Sequence, residues 1–306
     1  MGPPGLGSQP TARIAWLDAR QNEAMKTVML LHPGEMGASI GSAIVANGYT
    51  VLWVPEGRSQ ATRQRAAAAG FEEAELLDAL SRVDIVISVV PPGAAIQVAQ
   101  QVADGGFEGT YVDMNAISPR SASQIATAFS DYVDGGIVGP PARETGTTRL
   151  ALSGPKTDEI KALFAGSFIE VVDLGIEIGT ASAFKVGFAA WTKGSGALLL
   201  LICAYARSAG IENELFEEWE RRGMTQKAQS IRAAEQMAPK SWRFGDEMRQ
   251  ISDALEDAGL GIGFFLHAGE TFDRLAHINT ESDRKLSLEE VTRELLAGRS
   301  LRDPFD

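Results

Sequence analysis

Short apolar runs rich in β-branched residues recur along the chain from Thr27 to about Asp173. The runs are TVMLLH, TVLWV, DIVISVV, TYVDM, YVDGGIV, TRLALS and FIEVVD. Between them lie four segments with helical spacing of apolar residues, at 39–47, 59–69, 94–103 and 118–128. Strands that alternate with helices are typical of a mostly parallel sheet covered by helices on both faces. The pattern therefore predicts a doubly wound α/β domain over residues 25–177.

The pattern changes after Gly179, where no further β-rich run occurs. Residues 180–208 form one long, mostly apolar segment without proline, which predicts a helix buried on most of its faces. Lys185, Lys193 and Arg207 interrupt this segment. Its apolar runs are well short of the ~20 residues that a membrane span needs, so a core or dimer-interface helix is expected.

Two later helices have recognisable ends. Apolar residues three and four apart predict a helix that stops at Gly259, and they are Met248, Ile251 and Leu255. Ser287 and Glu290 have the spacing of a capping box at the start of another helix, and Gly298 is its predicted end. We therefore predict an all-α domain over residues 178–306, joined to the first domain by the long helix.

Charge narrows the set of partners. Lys and Arg number 28 against 40 Asp and Glu, which gives a formal net charge of −12. Nucleic acids and anionic membranes are bound by clustered Lys and Arg, so neither is an expected partner. A small-molecule substrate is expected instead.

Cysteine and histidine usage limits the chemistry further. Cys203 is the only cysteine, which excludes an intrachain disulfide and fits a reducing, cytoplasmic location. The three histidines lack the spacing of a zinc site, so no metal is expected. Residues 1–24 have no apolar core of signal-peptide length and are predicted to be a flexible extension.

The first strand runs into a glycine-containing turn, LLHPGEMGASIG. Gly34 and Gly37 fill the second and third glycines of the dinucleotide fingerprint G-x-G-x-x-G, but His32 and Pro33 precede them. Proline fixes its own φ and restricts its neighbour, so this pair is expected to take over the turn. The predicted nucleotide-binding residues are His32, Pro33, Gly34, Glu35, Met36 and Gly37, and an ordinary structural loop is the alternative.

The residues after the second strand bear on the choice of nucleotide. Glu56 lies near the distance at which an acidic residue holds a ribose diol, as in NAD-binding proteins. Arg58, Ser59 and Thr62 follow it directly, and a guanidinium beside hydroxyls suits a 2′-phosphate. NADP is therefore favoured over NAD. The alternative is a solvated helix start in which Ser59 is only the N-cap.

Several motifs in the same order resemble one known family. The sequences HPGEMG, GRSQAT, SVVPPGAA, DMNAISP, DGGIVGPP and GTASAFK resemble the β-hydroxyacid dehydrogenases, which include 6-phosphogluconate and 3-hydroxyisobutyrate dehydrogenases and are related to imine reductases. The resemblance covers nearly the whole chain from residue 27. The later stretch WRFGDEMRQISDALEDAGL is similar to a 6-phosphogluconate dehydrogenase-like branch with a helical C-terminal domain of unknown function. The resemblance to this branch implies an NADP-binding Rossmann domain and a homodimer formed through the helical domain.

The resemblance also implies roles for individual residues. It places the dinucleotide turn at Gly34, Met36 and Gly37, and the adenosine-phosphate loop at Arg58, Ser59 and Thr62. The positions matched to the nicotinamide side are Val90, Pro91 and Asn115. Lys185 matches the family's catalytic lysine.

Departures from the family pattern put the usual substrates in doubt. An asparagine four residues after the lysine is replaced by Ala189, and the Ser-Gly-Gly substrate loop is replaced by Val138, Gly139 and Pro140. A later lysine-aspartate pair is replaced by residues 246–248, DEM. The first two changes remove polar contacts to a hydroxyacid carboxylate.

The chemistry expected at Lys185 is proton transfer. Burial in an apolar helix lowers the pKa of a lysine toward neutrality, which suits a general acid or base. Thr192 returns to almost the same helix face and is a candidate hydrogen-bonding neighbour, whereas Lys193 is turned away and is a weaker candidate. Trp242 is a candidate wall of the substrate pocket, with core or subunit packing as the alternative.

We therefore expect an NADP-dependent oxidoreductase acting on a small carbonyl or hydroxy compound, with Lys185 as the acid or base. The first alternative is an imine reductase that reduces C=N, although many imine reductases replace this lysine. The second is a non-catalytic NADP-binding protein.

Overall fold

An eight-stranded sheet organises the first half of the protein. The computed structural model describes residues 27–278 and 285–297. Its strands are β1 Thr27–Leu31, β2 Thr50–Trp53, β3 Glu72–Glu73, β4 Ile85–Ser88, β5 Thr110–Asp113, β6 Asp131–Val138, β7 Thr148–Ser153 and β8 Ile169–Asp173. Their order across the sheet is β3-β2-β1-β4-β5-β6-β7-β8, and all pairs are parallel except β6 with β7. The predicted mostly parallel sheet is confirmed.

Helices cover both faces of this sheet. They are α1 Glu35–Ala46, α2 Gln60–Ala68, α3 Leu76–Leu80, α4 Ala95–Asp104, α5 Pro119–Ala126 and α6 Thr157–Ala162. Along β1, Val28 and Leu30 belong to one buried cluster, and Met29 and Leu31 belong to the other. Because successive side chains of a strand point to opposite faces, this alternation gives the sheet an apolar core on each side.

Some details of the sheet differ from the sequence prediction. Strand β3 was not predicted, since its two exposed glutamates have no apolar pattern and only pairing with Leu52 and Trp53 makes them a strand. The run TRLALS was predicted as a strand and forms β7, but its antiparallel direction was not predicted. It follows β6 after a short loop over 139–147, and antiparallel strands need no helical crossover. Helix α1 begins at Glu35, before the predicted start at residue 39.

The long helix was predicted with its observed limits. Helix α7 spans Thr180–Ser208, after Gly179, whose φ is +95°. By length and apolar composition it is the one helix in residues 27–278 and 285–297 that could cross a membrane, and 44% of its most apolar window is buried in the protein. Core helices of globular proteins share these properties. Helix α7 packs against β6, β7 and the helices that follow it.

The remaining helices pack around α7. They are α8 Glu212–Arg221, α9 Gln226–Gln236, α10 Phe244–Asp257, α11 Gly263–Leu275 and α12 Leu288–Ala297. The predicted stop at Gly259 is confirmed, since α10 ends two residues before it and the φ of Gly259 is +71°. The capping box is also confirmed: the Ser287 N–H donates to Glu290 (2.9 Å) and the Glu290 N–H donates to Ser287 Oγ (3.2 Å). The predicted helix end at Gly298 and the predicted extension at 1–24 lie outside the described residues.

Helix α10 docks on the edge of the sheet where the parallel strands end. The Gln250 side-chain oxygen accepts hydrogen bonds from the Ser118 N–H (2.7 Å) and the Ser121 hydroxyl (2.8 Å) at the start of α5. Arg120 pairs with Asp257 at the other end of α10. These contacts place the α10 residues opposite the carboxyl ends of the strands, where ligands bind in doubly wound folds.

Candidate active site

The glycine turn lies at the carboxyl end of β1, beside the carboxyl end of β4. Helices leave the sheet in opposite directions from these two strands, so a crevice opens at this point. His32 occupies the first-glycine position with φ +69°, the left-handed conformation that glycine adopts without cost. For histidine this conformation costs about 1 kcal/mol or more. The turn is therefore kept although its first glycine is absent, but not in the way expected: a following proline favours an extended conformation, whereas His32 is left-handed.

The two remaining glycines have different reasons to be glycine. A Cβ atom at Gly37 would lie 2.5 Å from the His32 carbonyl oxygen, so the packing of α1 on the turn requires glycine. A Cβ atom at Gly34 would make only ordinary contacts, the nearest at 3.6 Å to the His32 ring. The protein itself therefore does not require glycine at position 34. A ligand that approaches the backbone there would.

Arg58 and Ser59 lie just beyond the carboxyl end of β2, beside the same turn. Ser59 caps α2 by accepting a hydrogen bond from the Thr62 N–H (3.2 Å), as the alternative interpretation expected. Arg58 is not part of the cap, because its Nη1 contacts His32 Nδ1 at 2.9 Å. Arg65, one turn further, donates to Thr62 Oγ1 (3.2 Å). The structure thus brings Arg58, Ser59 and Thr62 together beside His32.

The cluster fits a dinucleotide that carries an extra phosphate. The buried Nε atom of Arg58 has no hydrogen-bond partner among the described residues. A buried donor without a partner is costly unless a ligand satisfies it. With two guanidinium groups and the half-buried backbone at Gly34, the residues could hold a pyrophosphate on the turn and a 2′-phosphate at Arg58.

Asn115 joins the ends of β4 and β5. Its side chain accepts a hydrogen bond from the Val90 N–H (2.6 Å) and donates to Ser88 Oγ (3.0 Å) and Asp113 Oδ2 (3.0 Å). The residue is buried, so it fixes the loop at Val90 and Pro91 from beneath. Contact of Val90, Pro91 and Asn115 with a nicotinamide stays a prediction.

A buried carboxylate fixes the start of α7. Asp134 on β6 accepts hydrogen bonds from the Ser182 hydroxyl (2.6 Å), the Ser182 N–H (2.9 Å) and the Gly179 N–H (3.1 Å). A negative group at this end also complements the helix dipole. Two residues along β6, a Cβ atom at Gly136 would lie 2.9 Å from Lys185 Cβ. The strand therefore approaches α7 closely where Lys185 begins.

Lys185 is held at the end of β6. Its Nζ donates to the Ile137 carbonyl oxygen (2.7 Å) and lies 3.9 Å from Glu247 Oε1. Burial lowers the pKa of Lys185 to about 8, with Lys193 and Arg243 acting in the same direction and Glu247 opposing them. A group that titrates near neutrality can give or take a proton at physiological pH.

Glu247 is the site residue that the sequence prediction missed. It lies on α10, its side chain is only 8% exposed, and its Oε1 accepts a hydrogen bond from Lys193 at 2.7 Å. Lys193, taken from the sequence as the weaker candidate, therefore shares one carboxylate with Lys185. Thr192 instead donates to the Phe188 carbonyl oxygen (3.0 Å) within its own helix. The sequence signal was the DEM stretch, but its relation to α7 depends on packing between distant segments.

The predicted substrate loop starts directly after Ile137. Val138 ends β6, and Gly139 has φ +111° with Thr147 packed against its Cα. The Pro140 carbonyl oxygen accepts a hydrogen bond from Thr148 (2.6 Å), which ties the loop to β7. The loop therefore lies next to the Lys185 contact. Trp242 is 45% exposed, on the turn before α10, and its substrate role stays a prediction.

Asp246 extends the site toward the sheet domain. It precedes Glu247 on α10, and a Cβ atom at Gly93 would lie 2.4 Å from its carboxylate. Gly93 belongs to a single helical turn, Pro92–Ala94, which follows the Val90 and Pro91 segment. The lysine cluster on α7 is thus connected through α10 to the predicted nicotinamide side of the crevice.

Comparison with protein families gives two matches along the chain. Residues 29–163 match the NAD binding domain of 6-phosphogluconate dehydrogenase, and residues 206–275 match a domain of unknown function, DUF1932. An uncharacterized 28.5 kDa protein of Methanothermus fervidus is 32% identical over 166 residues, which cover 53% of this chain and 64% of that protein. The matched region therefore spans less than two thirds of that relative.

Solved structures give the same fold. The conserved protein MTH1747, of unknown function and described as similar to 3-hydroxyacid dehydrogenases, is 28% identical with a TM-score of 0.59, covering 83% of this chain and 99% of that one. A Mycobacterium tuberculosis 3-hydroxyisobutyrate dehydrogenase with L-serine is 18% identical with a TM-score of 0.61, covering 89% and 99%. At 18% identity the second likeness shows the fold alone.

Proposed function

The chain belongs to the 6-phosphogluconate dehydrogenase-like NAD(P)-binding family, in the branch with a DUF1932 domain, and on that premise we propose that it is an NADP-dependent oxidoreductase. Its substrate is a small carbonyl compound, or the hydroxy compound that corresponds to it. The observation that carries the proposal is Lys185, a buried amine with a pKa of about 8 at the carboxyl edge of the nucleotide-binding sheet.

Lys185 moves the proton of this reaction. A bound nicotinamide dinucleotide supplies the hydride in reduction and receives it in oxidation. In reduction, the charged Lys185 donates a proton to the carbonyl oxygen of the substrate. In oxidation, the neutral amine accepts the hydroxyl proton. Glu247 keeps part of the population charged, whereas burial favours the neutral form, so both directions are accessible near pH 8.

NADP is the proposed cofactor because of the charge beside the turn. Burial lowers the pKa of the His32 imidazole, and the charges of Arg58 and Arg65 lower it further, so both guanidinium groups lie close to the turn. A phosphate in this place would gain charge-assisted hydrogen bonds that a ribose diol cannot make. We expect Arg58→Ala to weaken NADPH binding more than NADH binding.

The substrate is proposed to be small and not held as a hydroxyacid is in the dehydrogenases that this chain resembles. Ala189 is buried and carries no polar group, and Val138 presents an apolar side chain where that family has a serine. These positions leave aldehydes, ketones, keto acids and imines as the compounds to screen.

The proposed quaternary structure is a homodimer that uses the outer face of α7. Large apolar side chains on this helix are 38–75% exposed, at Phe184, Phe188, Trp191, Leu198, Leu201 and Tyr205. Their spacing of three and four residues, interrupted only near Ser195, puts them on one side of the helix. Contiguous exposed apolar surface of this kind marks an interaction site.

The proposed reaction is tested by NADPH consumption with a panel of aldehydes, ketones, keto acids and cyclic imines. Lys185→Met should lose about 100-fold or more in rate with the best carbonyl substrate, the usual contribution of a general acid. Its NADPH affinity should stay unchanged. Lys161→Met, at an exposed lysine on α6, is the matched control and should behave as the wild type.

Other outcomes would replace the proposal. Imine reduction at an unchanged rate in Lys185→Met would favour an imine reductase. Tight NADPH binding without turnover of any compound would favour a non-catalytic NADP-binding protein. Failure of the wild type to bind NADPH or NADH would overturn the enzymatic interpretation altogether.

A further inference from the structure

His32 is the residue that connects the glycine turn to the arginines after β2. Its Nδ1 lies 2.9 Å from Arg58 Nη1. Its Nε2 and Cδ2 atoms lie 3.6 Å from the position of a Cβ at Gly34, so the other edge of the ring faces the turn. The imidazole therefore stands between a guanidinium and the backbone on which a pyrophosphate would rest.

The contact with Arg58 requires a neutral imidazole. A guanidinium has only donors, so Nδ1 must be the acceptor, and the ring proton is then on Nε2. Burial lowers the pKa of His32 below its ordinary value, and the charges of Arg58 and Arg65 lower it further. His32 is thus uncharged at neutral pH and able to hold Arg58.

Arg58 and Arg65 have no carboxylate partner among the residues that the structure describes. Within residues 27–278 and 285–297, no Asp or Glu oxygen lies within 4.0 Å of Arg58 or Arg65, whereas their neighbour Arg63 pairs with Glu73 at 3.7 Å. Arg65 donates only to Thr62 Oγ1 (3.2 Å) and weakly to the Pro33 carbonyl oxygen (3.4 Å). Two positive groups that are held close together without neutralisation are suited to a dianion.

The backbone conformation of His32 is strained. Glycine would adopt φ +69° freely, whereas histidine does so under strain. Strain of this kind persists where the side chain serves a purpose that compensates for it. Here the compensating contact is the hydrogen bond with Arg58, which is the one hydrogen bond that the His32 side chain makes to the described residues.

We propose that His32 is a specificity-determining positioning residue, which holds the Arg58 guanidinium against the glycine turn and so sets the preference for a dinucleotide with a 2′-phosphate over one with a free ribose diol. This inference rests on the proposed NADP-dependent function. Without the imidazole, Arg58 has no fixed acceptor and is repelled by Arg65, so its side chain moves toward solvent. Affinity for the 2′-phosphate then falls, whereas affinity for a diol is hardly affected.

The test is a fluorescence titration of the full chain with NADPH and, separately, NADH. His32→Gly removes the acceptor and also the strain, so the variant should fold. We expect its NADPH affinity to fall about tenfold, the loss of one well-ordered charge-assisted contact, with NADH affinity unchanged. Arg63→Ala is the matched control, since Arg63 lies on the same helix but pairs with Glu73, and it should retain the wild-type preference.

The variant His32→Asn tests whether the hydrogen-bond acceptor, and not the imidazole ring itself, positions Arg58. Asparagine tolerates the left-handed conformation, and its side-chain oxygen can stand where Nδ1 stands, so the NADPH preference should be largely restored. An unchanged preference in His32→Gly would overturn the inference and leave the proposed function intact. Equal binding of both cofactors by the wild type would also overturn it, whereas binding of neither would overturn the proposed function itself.

Discussion

At the scale of single residues, two opposing effects set the pKa of Lys185. Burial lowers its pKa to about 8, and Glu247 at 3.9 Å prevents a larger fall. In the unfolded chain the same lysine titrates near 10.5. Between these two values the unfolded chain binds more protons than the folded protein does, so the free energy of unfolding should rise with pH in this window.

We predict that Lys185→Met removes this dependence on pH. Below pH 8 the wild type carries the full penalty of a buried charge, of the order of 3 kcal/mol for a shift of this size. Loss of the hydrogen bond to Ile137 offsets about 1 kcal/mol of the gain, so the variant should be more stable at pH 7 by about 2 kcal/mol. Urea denaturation at pH 7, 9 and 10.5 measures the effect. The same slope in both proteins between pH 8 and 10.5 would contradict the assignment.

Glu247 should matter for stability as well as for charge. Glu247→Gln leaves the buried Lys193 ammonium without its carboxylate and removes the charge that opposes the fall in the pKa of Lys185. Loss of one partner of a buried pair typically costs about 3 kcal/mol or more. The control is Glu170→Gln, because Glu170 pairs with Arg149 at the surface, where such pairs contribute less than about 1 kcal/mol. Urea denaturation at pH 7 gives the free energy of unfolding of the two variants. Equal losses would show that the buried carboxylate contributes no more to stability than a surface ion pair does.

At the scale of elements, the approach of β6 to α7 positions the amine. A Cβ atom at Gly136 would lie 2.7 Å from the Ala181 carbonyl oxygen and 2.9 Å from Lys185 Cβ. Gly136→Ala should therefore push α7 away and destabilise the protein by about 2 kcal/mol, within the range for an overpacked core. NADPH-dependent turnover should fall with it, since Lys185 would no longer reach the end of β6.

Gly187 on α7 is a position where replacement of glycine by alanine should stabilise the protein. Among the described residues, and apart from its chain neighbours and the backbone of its own helical turns, no atom lies within 4 Å of a Cβ atom at this position. Gly187→Ala should therefore stabilise the helix by about 0.5–1 kcal/mol, the difference in helix propensity. Thermal unfolding of the two variants checks both signs, and a stabilising Gly136→Ala would mean that β6 and α7 are not in close contact.

The elements differ in how far the sequence predicted them. Helix α7 was predicted to the residue, because a mostly apolar segment without proline, between Gly179 and Gly210, sets its own limits. The turn at Gly34 and Gly37 and the cluster at Arg58 were also located, since each depends on residues close in sequence. Strand β3 was missed because pairing, not composition, makes it a strand. Glu247 was missed because it lies 54 residues from Lys193 in sequence and meets it only through tertiary packing.

At the scale of the whole molecule, the two halves contribute different parts of one site. The sheet domain carries the turn at His32 and the arginine cluster, and the helical region carries Lys185, Lys193 and Glu247. Helix α10 joins the halves through the contacts of Gln250 with α5 and of Asp257 with Arg120, so the proposed cofactor turn and the proposed proton donor form one site only when both halves are docked. One face of this assembly, the outer side of α7, remains exposed.

The exposed face of α7 leads to the last prediction, which concerns assembly. Trp191 is 75% exposed and Tyr205 is 67% exposed, and burial of such side chains against a second copy would remove a large apolar area from water. Light scattering should give twice the chain mass of 32.6 kDa for the wild type. Trp191→Glu should give monomers, because a charge in the centre of an apolar interface is left without a partner. Leu77→Glu, at a residue 68% exposed on α3, is the control and should remain a dimer. A monomeric wild type would contradict the proposed dimer. If that monomer bound lipid vesicles, the exposed face of α7 would be assigned to a membrane surface instead.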